Sequence, residues 1–341
     1  MANRSVILGI ESSCDDTSAS IVIDGVKHSN VVASQSVHEQ YGGVVPELAS
    51  RAHQKNIIPV VDTALKEAGV SKEELSAIAY TQGPGLMGSL IVGSSFAKSM
   101  SSALNIPLIE VNHMQGHILA HFIQEKEGKS PLPKFPFLCL TVSGGHTQIV
   151  KVTDYFGFEI LGETKDDAAG EAFDKVAKIL NLPYPGGPVL DQLAQKGNPK
   201  AFEFGISQSN DLDFSFSGFK TSFLYAVQKG VDRHANFIEE NIHDLCASAQ
   251  HTIISTLFKK LEKAANATGI KEIAIAGGVS ANSLLRSELK LRQTTLGWSA
   301  YIPKFEYCTD NAAMVAITGY FKFLRKDFAE LSSAPTARLT L

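Results

Sequence analysis

Val6-Ile7-Leu8-Gly9-Ile10, then Glu11-Ser12-Ser13-Cys14-Asp15-Asp16, then Ala19-Ser20-Ile21-Val22-Ile23: two apolar runs flank a polar turn, and the second half of the chain repeats the arrangement. There Phe137–Val142 and Thr147–Val152 flank Ser143-Gly144-Gly145-His146. Short apolar runs bounded by turn residues read as strands, so each half is expected to open with a β-hairpin. Asp24-Gly25 is a two-residue hairpin signal leading into a third strand. After intervening helices, each half continues with a strand, a glycine turn and a helix. The first such unit is Ala77–Thr81, Gln82-Gly83-Pro84-Gly85 and a helix from about Leu86. The second is Glu272–Ala276, Gly277-Gly278-Val279-Ser280 and a helix from about Asn282. The layout is duplicated, not the sequence. The expectation is an α/β fold of two similar lobes whose turns gather around one cleft and face the phosphates of a nucleotide.

Three prolines within Ser130–Pro136 interrupt the pattern and mark the expected boundary. The lobes are then 1–130 and 131–341, with the last helix, from about 310, returning to the N-terminal lobe. At 341 residues, 44% hydrophobic and 19% charged, the chain has room for both lobes and a full core. Its net charge of −4 means that a nucleic-acid partner must be met by a local basic patch or by another subunit. Arg51, Lys55 and Arg286 are scattered and form no dense basic run. The apolar run before Glu11 is too short for a signal-peptide core, and no run reaches a membrane span. Cys14, Cys139, Cys246 and Cys308 lack the paired spacing of a disulfide framework or a thiolate metal site. A cytoplasmic protein is expected.

The chemistry concentrates in a few places. His113-Met114-Gln115-Gly116-His117 sets two imidazoles four residues apart, on one face if the segment is helical. A zincin carries its general-base glutamate directly after the first histidine; here Met114 stands there and moves no proton. A metal site is expected, a metalloprotease is not. Asp310, in Cys308-Thr309-Asp310-Asn311 before an apolar helix, is either a helix N-cap, a role open to Thr309 as well, or the third ligand. In Val142-Ser143-Gly144-Gly145-His146, paired glycines at φ > 0 would expose successive N–H groups to an oxyanion. Gly170-Glu171-Ala172-Phe173-Asp174 opens an amphipathic helix. Tyr184-Pro185-Gly186-Gly187-Pro188 reads as a double-glycine turn, with Asp191 in the first helical turn beyond it. Asp191 is either a helix-dipole partner or the acid that holds a ribose. Gly277-Gly278-Val279-Ser280-Ala281-Asn282 is a glycine turn at a helix start, suited to ligand approach.

Taken together in this order, Glu11–Asp16, Gln82–Gly85, His113–His117, Val142–His146 and Gly277–Asn282 resemble the signatures of the TsaD (Gcp/YgjD) family, most closely its bacterial branch. The resemblance covers nearly the whole chain. It implies a duplicated actin/Hsp70/sugar-kinase-like (ASKHA) bilobal fold with the active site in the interlobe cleft. It also implies transfer of a threonylcarbamoyl group from threonylcarbamoyl-AMP to N6 of the adenosine beside the anticodon, position 37, in tRNAs that read ANN codons. Carried over by position, the metal ligands are His113, His117 and Asp310, holding one divalent ion, Fe2+ first and Zn2+ as the alternative. The adenylate-binding set is Val142, Ser143, Gly144, Gly145, His146, Asp174, Gly187, Asp191 and Asn282. Asp15 matches an acidic position tied to the family's activity; Asp15 and His146 are the candidates for removing the N6 proton. Implied partners are TsaB and TsaE, with TsaC supplying the adenylate. Bacterial members commonly carry Asp-Glu where this chain has Asp15-Asp16, a carboxylate one methylene shorter. The rival readings are an ASKHA-type kinase or ATPase, which would hold Mg2+ on carboxylates, and a nucleotide-binding scaffold without chemistry.

Overall fold

The computed structural model describes residues 4–128, 131–206 and 211–341. The chain forms two compact units, one running from the N-terminus to Leu132 together with Pro303–Leu341, the other Pro133–Ile302. The second unit thus ends at Ile302, and the stretch from Pro303 belongs with the first. The expected boundary residue Ser130 lies outside the described residues.

Ahead of Leu132 the chain supplies β1 (Val6–Glu11), β2 (Thr17–Ile23), β3 (Val26–Ala33), α1 (Pro46–Ala68), β4 (Ala77–Gly83), α2 (Met87–Leu104), β5 (Leu108–Asn112), α3 (His113–Leu119) and β6 (Gln124–Glu125). The second unit supplies β7 (Phe137–Val142), β8 (Thr147–Asp154), β9 (Gly157–Glu163), α4 (Ala169–Ile179), α5 (Gly186–Ala194) and α6 (Ser217–Arg233). It continues with α7 (Phe237–Thr268), β10 (Glu272–Ala276), α8 (Ser283–Thr295) and β11 (Ser299–Tyr301), and the returning segment supplies α9 (Ala312–Leu324).

Each unit is built on its own sheet, and the two sheets share one topology over five strands, with the short β6 added beside β3 in the first. The strand order is β5-β4-β1-β2-β3-β6 in the first and β11-β10-β7-β8-β9 in the second. In both, the opening three strands form an antiparallel meander and the next two add in parallel on the far side of the first strand. The layout duplication read from the sequence is therefore a duplication of fold. Asp24 and Gly25, at φ 50° and 82°, make the tight turn between β2 and β3 that a two-residue hairpin requires.

Strand alternation sorts the first sheet's two faces. Val6, Leu8 and Ile10 of β1 pack with Ile57, Val60, Val61 and Ala64 of α1 and Ala97 of α2. On the opposite face α9 lies directly on the sheet. A Cβ at Gly9 would fall 2.6 Å from both the Ala312 carbonyl oxygen and the Ala316 nitrogen, and one at Gly319 would fall 2.4 Å from Ala79 Cβ. The first N–H groups of α9, orphaned by helix geometry, are taken up by the sheet and the cap. Ala312 N donates to Ser18 Oγ (2.8 Å), Ala313 N to Asn30 Oδ1 (3.1 Å) and Met314 N to Asn311 Oδ1 (3.1 Å). Asn311, not Thr309 or Asp310, is the N-cap, and Asp310 is left available on the loop before it. The second unit's core is aromatic, with Phe214, Phe216, Phe219 and Phe223 packed with Phe258 of α7. Among the described residues, no helix is long and apolar enough to cross a membrane.

Candidate metal centre and glycine turns

β5 delivers the chain to α3, and Asn112 caps that helix: its Oδ1 accepts from Met114 N (2.9 Å) and Gln115 N (3.2 Å). His113 is the first residue of α3, and His117 follows one turn later on the same face. Their rings stand edge to face, centroids 4.7 Å apart. Both are buried, His113 at 8% and His117 at 2% exposure. Gly116 lets α3 approach α9, where an added Cβ would sit 3.3 Å from Met314 Cγ. The anchored start of α9 sets Asp310 opposite the two rings. His113 Nε2 lies 3.4 Å and His117 Nε2 3.3 Å from Asp310 Oδ1.

These edges suit a metal ion. Two donors each about 2.1 Å from one ion at a near-tetrahedral angle lie about 3.4 Å apart. The three ligand atoms all fall within 4.8 Å of one another. The donor set, two imidazoles and one carboxylate, is that of mononuclear Fe(II) and Zn(II) sites with positions left open.

Behind His113 lies a carboxylate that in the sequence reads only as part of the acidic turn. Glu11, at 0% exposure, has Oε2 3.2 Å from His113 Nδ1. Its oxygens also accept from Thr81 Oγ1 (2.7 Å) and Ser13 N (2.5 Å), and Ser13 Oγ lies 3.1 Å from His113 Nδ1. A carboxylate accepts only, so it holds the proton on Nδ1 and leaves the Nε2 lone pair for the ion. His117 Nδ1 has no such backing; it is buried with no hydrogen-bond partner among the described residues. Burial by itself would depress the His113 pKa, yet Asp310 and Glu11 on either side hold it well above the ordinary imidazole value. The Asp310 carboxyl is held far below its usual range: burial works against this, and His113 and His117 outweigh it. The pocket is thus electrostatically set for a cation.

The acidic turn is tied down by its backbone. The Ser13 carbonyl accepts from Leu86 N (2.7 Å), and the Cys14 carbonyl from Ser89 Oγ (2.9 Å) and His53 Nε2 (3.0 Å). Donation from Nε2 makes His53 Nδ1 the acceptor for Thr17 Oγ1 (2.8 Å), a neutral tautomer. Burial lowers the pKa of His53, in keeping with that form. Asp15 and Asp16 follow, both half-buried and neither part of the His113–His117–Asp310 group. Burial first, and the neighbouring Asp15 second, push Asp16 up to about 6.

In the second unit the predicted residues fall into a connected series. Val142 ends β7, and its carbonyl oxygen lies 2.5 Å from where a Cβ on Gly277 would be. Gly277, at φ 84°, is the glycine whose left-handed backbone and close approach both exclude a side chain. Gly144 and Gly145 do not have the expected positive φ; they are exposed, with open space where side chains would project. The turn is instead closed by Ser143 N donating to the His146 carbonyl (2.8 Å) and His146 N donating to Ser143 Oγ (3.1 Å). The Ser143 carbonyl accepts from Gly170 N at the start of α4 (3.2 Å).

Asp174, one turn further along α4, accepts from the N–H groups of Gly186 and Gly187; burial raises its pKa. Those glycines are the first residues of α5, not a turn before it, so Asp191 sits in the second turn of the helix, not the first. Its carboxylate accepts from Ser283 Oγ (2.7 Å) and Ser283 N (3.1 Å). Beside it Asn282 caps α8 through Leu285 N (3.0 Å) and donates from Nδ2 to Gln250 Oε1 (3.0 Å). Starting at Ser143–His146, the N-terminal ends of α4, α5 and α8 are linked in sequence by named polar contacts.

The molecule is thus a duplicated α/β protein whose first unit brings together two histidines and one carboxylate that could hold a metal ion. Comparison with known proteins narrows that class. The TsaD family model, described as tRNA N6-adenosine threonylcarbamoyltransferase, matches residues 27–317. The chain is 62% identical to the tRNA N6-adenosine threonylcarbamoyltransferase of Christiangramia forsetii, covering 97% of each protein. It is 59% identical to that of Riemerella anatipestifer, covering 99% of this chain and 98% of the relative. Among solved structures, HypF of T. kodakarensis shares the fold at a TM-score of 0.61 and 14% identity, over 98% of this chain and 49% of that one. The chain belongs to the TsaD family: it is a transferase that forms N6-threonylcarbamoyladenosine in tRNA.

Proposed function

We propose that the chain takes the threonylcarbamoyl group from threonylcarbamoyl-AMP and delivers it to N6 of the adenosine beside the anticodon in tRNAs that read ANN codons. The observation that supports this most is the convergence of His113, His117 and Asp310, at 3.3–3.4 Å, in a chain of this family. Those residues would hold one divalent ion, Fe2+ first and Zn2+ as the alternative, on their imidazole and carboxylate donors. Bound there, the ion supplies a Lewis acid for the threonylcarbamoyl oxygens. As in the actin-type arrangement, both units are proposed to serve one substrate.

The N6 lone pair is delocalised into the purine and is a weak nucleophile, so the residues must orient the acyl group and remove a proton. Val142, Ser143, Gly144, Gly145 and His146, with Asp174, Gly187, Asp191 and Asn282, form the proposed adenylate-binding set. The open, exposed backbone of Gly144 and Gly145 leaves N–H groups for phosphate or for charge developing during transfer. Asp174 and Asp191, spent on helix starts, act as its frame. Asp15 and His146 are the two groups proposed to take the N6 proton. AMP departs as a phosphate monoester and needs little protonation. TsaB and TsaE are the proposed working partners, with TsaC as the source of the adenylate, in the cytoplasm.

His113→Ala tests this reading. The variant is expected to lose both bound metal and threonylcarbamoyl transfer; full metal stoichiometry together with full transfer would sink it.

A further inference from the structure

We infer that the segment Ser333–Thr340 is a strap that positions the metal-binding helix, acting through Asn112 as a positioning residue. Asn112 has two jobs at once. Its Oδ1 caps α3 at Met114 and Gln115, while its Nδ2 donates to the Thr340 carbonyl (2.9 Å). The strap therefore fixes which way the amide faces; a flip would set oxygen against the Thr340 carbonyl and turn Nδ2 toward two helix N–H groups. The capped helix begins at His113, so the cap sets the start of the ligand-bearing turn.

The same segment reaches His113 by a second route. Thr336 N donates to the Gln82 carbonyl (2.8 Å) and Gly85 N to the Ala337 carbonyl (3.2 Å), so the strap runs along the turn after β4. Gly83 has no room for a side chain, because its Cβ would fall 1.9 Å from the Thr336 carbonyl oxygen. On its other side that turn presses on the acidic turn. A Cβ at Gly85 would lie 2.5 Å from the Ser13 carbonyl oxygen, which Leu86 N also binds. Ser13 Oγ in turn contacts His113 Nδ1 at 3.1 Å. Lys98 Nζ anchors the strap at the Ser333 carbonyl, and the chain ahead of it is held by Ala329 N on the Leu108 carbonyl at the start of β5 (2.8 Å). Two independent contact chains lead from the strap to one imidazole. Geometry at metal ligands is sensitive to such backing, with outer contacts changing affinity about 10- to 100-fold.

Asn112→Ser in the full chain separates positioning from packing. Serine caps a helix well but cannot reach the Thr340 carbonyl as the amide does. Zn2+ alone is titrated into metal-stripped protein against a chromophoric chelator, with Tm recorded alongside. A Zn2+ dissociation constant raised about tenfold is expected, although the cap itself is kept. A second variant ending at Pro335 removes Thr336, Ala337 and Thr340, and so both contact chains, while leaving Asn112 intact; it is expected to raise the constant at least as much. Combined, the two changes should cost no more than the shortened chain alone, since shortening already breaks the link through Asn112. An unchanged Zn2+ constant in Asn112→Ser, whatever its Tm, overturns the proposal. That variant alone decides the matter if the shortened chain fails to fold.

Discussion

Replacing Glu11 by glutamine keeps the shape of a fully buried side chain and removes only its charge and its purely accepting character. One oxygen can still accept from Ser13 N, as Oε1 does now at 2.5 Å. The other position, between Thr81 Oγ1 at 2.7 Å and His113 Nδ1 at 3.2 Å, then carries an NH2 group. An amide that donates to Nδ1 stabilises the tautomer with its proton on Nε2, the nitrogen that lies 3.4 Å from Asp310 and must offer a lone pair to the ion. Hydrogen bonds to charged groups contribute about 1.5–3 kcal/mol against roughly 0.5–1.5 for neutral ones. The loss is therefore about 1–2 kcal/mol, or roughly a tenfold weaker metal site. Competition between metal-stripped Glu11→Gln and a chelator for Zn2+ measures it. One site of about tenfold lower affinity is expected; an affinity within twofold of the unsubstituted chain would refute the assignment of Glu11 as the group that orients His113.

Two further outcomes follow from packing and charge. Asp16, pushed up to about 6 by burial and by Asp15, is protonated more readily in the fold than in the unfolded chain. Its contribution is therefore favourable below about pH 4 and is lost as pH rises through 6. Asp16→Asn should stabilise the protein by about 1–2 kcal/mol at pH 8, after allowing for solvent screening of a half-buried group, and by nothing at pH 4. Urea unfolding at both pH values checks this, and equal effects at the two would contradict it. Gly9→Ala should cost about 1–3 kcal/mol or more, because its methyl meets backbone of α9 at 2.6 Å and the helix must move. Denaturation showing a change within 0.5 kcal/mol would mean that α9 is not seated as described.

Much of this fold was legible in the sequence, for physical reasons that also mark where legibility stops. The hairpins β1–β2 and β7–β8, and the strand–glycine turn–helix units at β4 and β10, are local: apolar runs bounded by turn residues report them directly. The i, i+4 histidines were equally plain, because helical spacing is a sequence property. The helix cap was not: Thr309 and Asp310 were the residues expected there, yet Asn311 is the cap, fixed by the docking of α9 onto Ser18 and Asn30. Glu11 was visible as an acid but not as the backing of a histidine 102 residues away. The positive φ expected at Gly144 and Gly145 belongs instead to Gly277, where the Val142 carbonyl leaves no space. The segment after Arg325 carries no motif because it works through backbone groups, Thr336 N and the Ala337 and Thr340 carbonyls, which any residue can supply.

The most direct test of the central claim is reconstitution with threonylcarbamoyl-AMP, tRNA and the proposed TsaB and TsaE partners, reading the modified nucleoside by mass spectrometry. Metal-loaded protein should form N6-threonylcarbamoyladenosine beside the anticodon, and both chelator-stripped protein and Asp310→Asn should form almost none, with activity of the stripped protein returning when metal is restored. Equal yields from loaded, stripped and Asp310→Asn protein would contradict the claim that His113, His117 and Asp310 hold an ion on which the transfer depends.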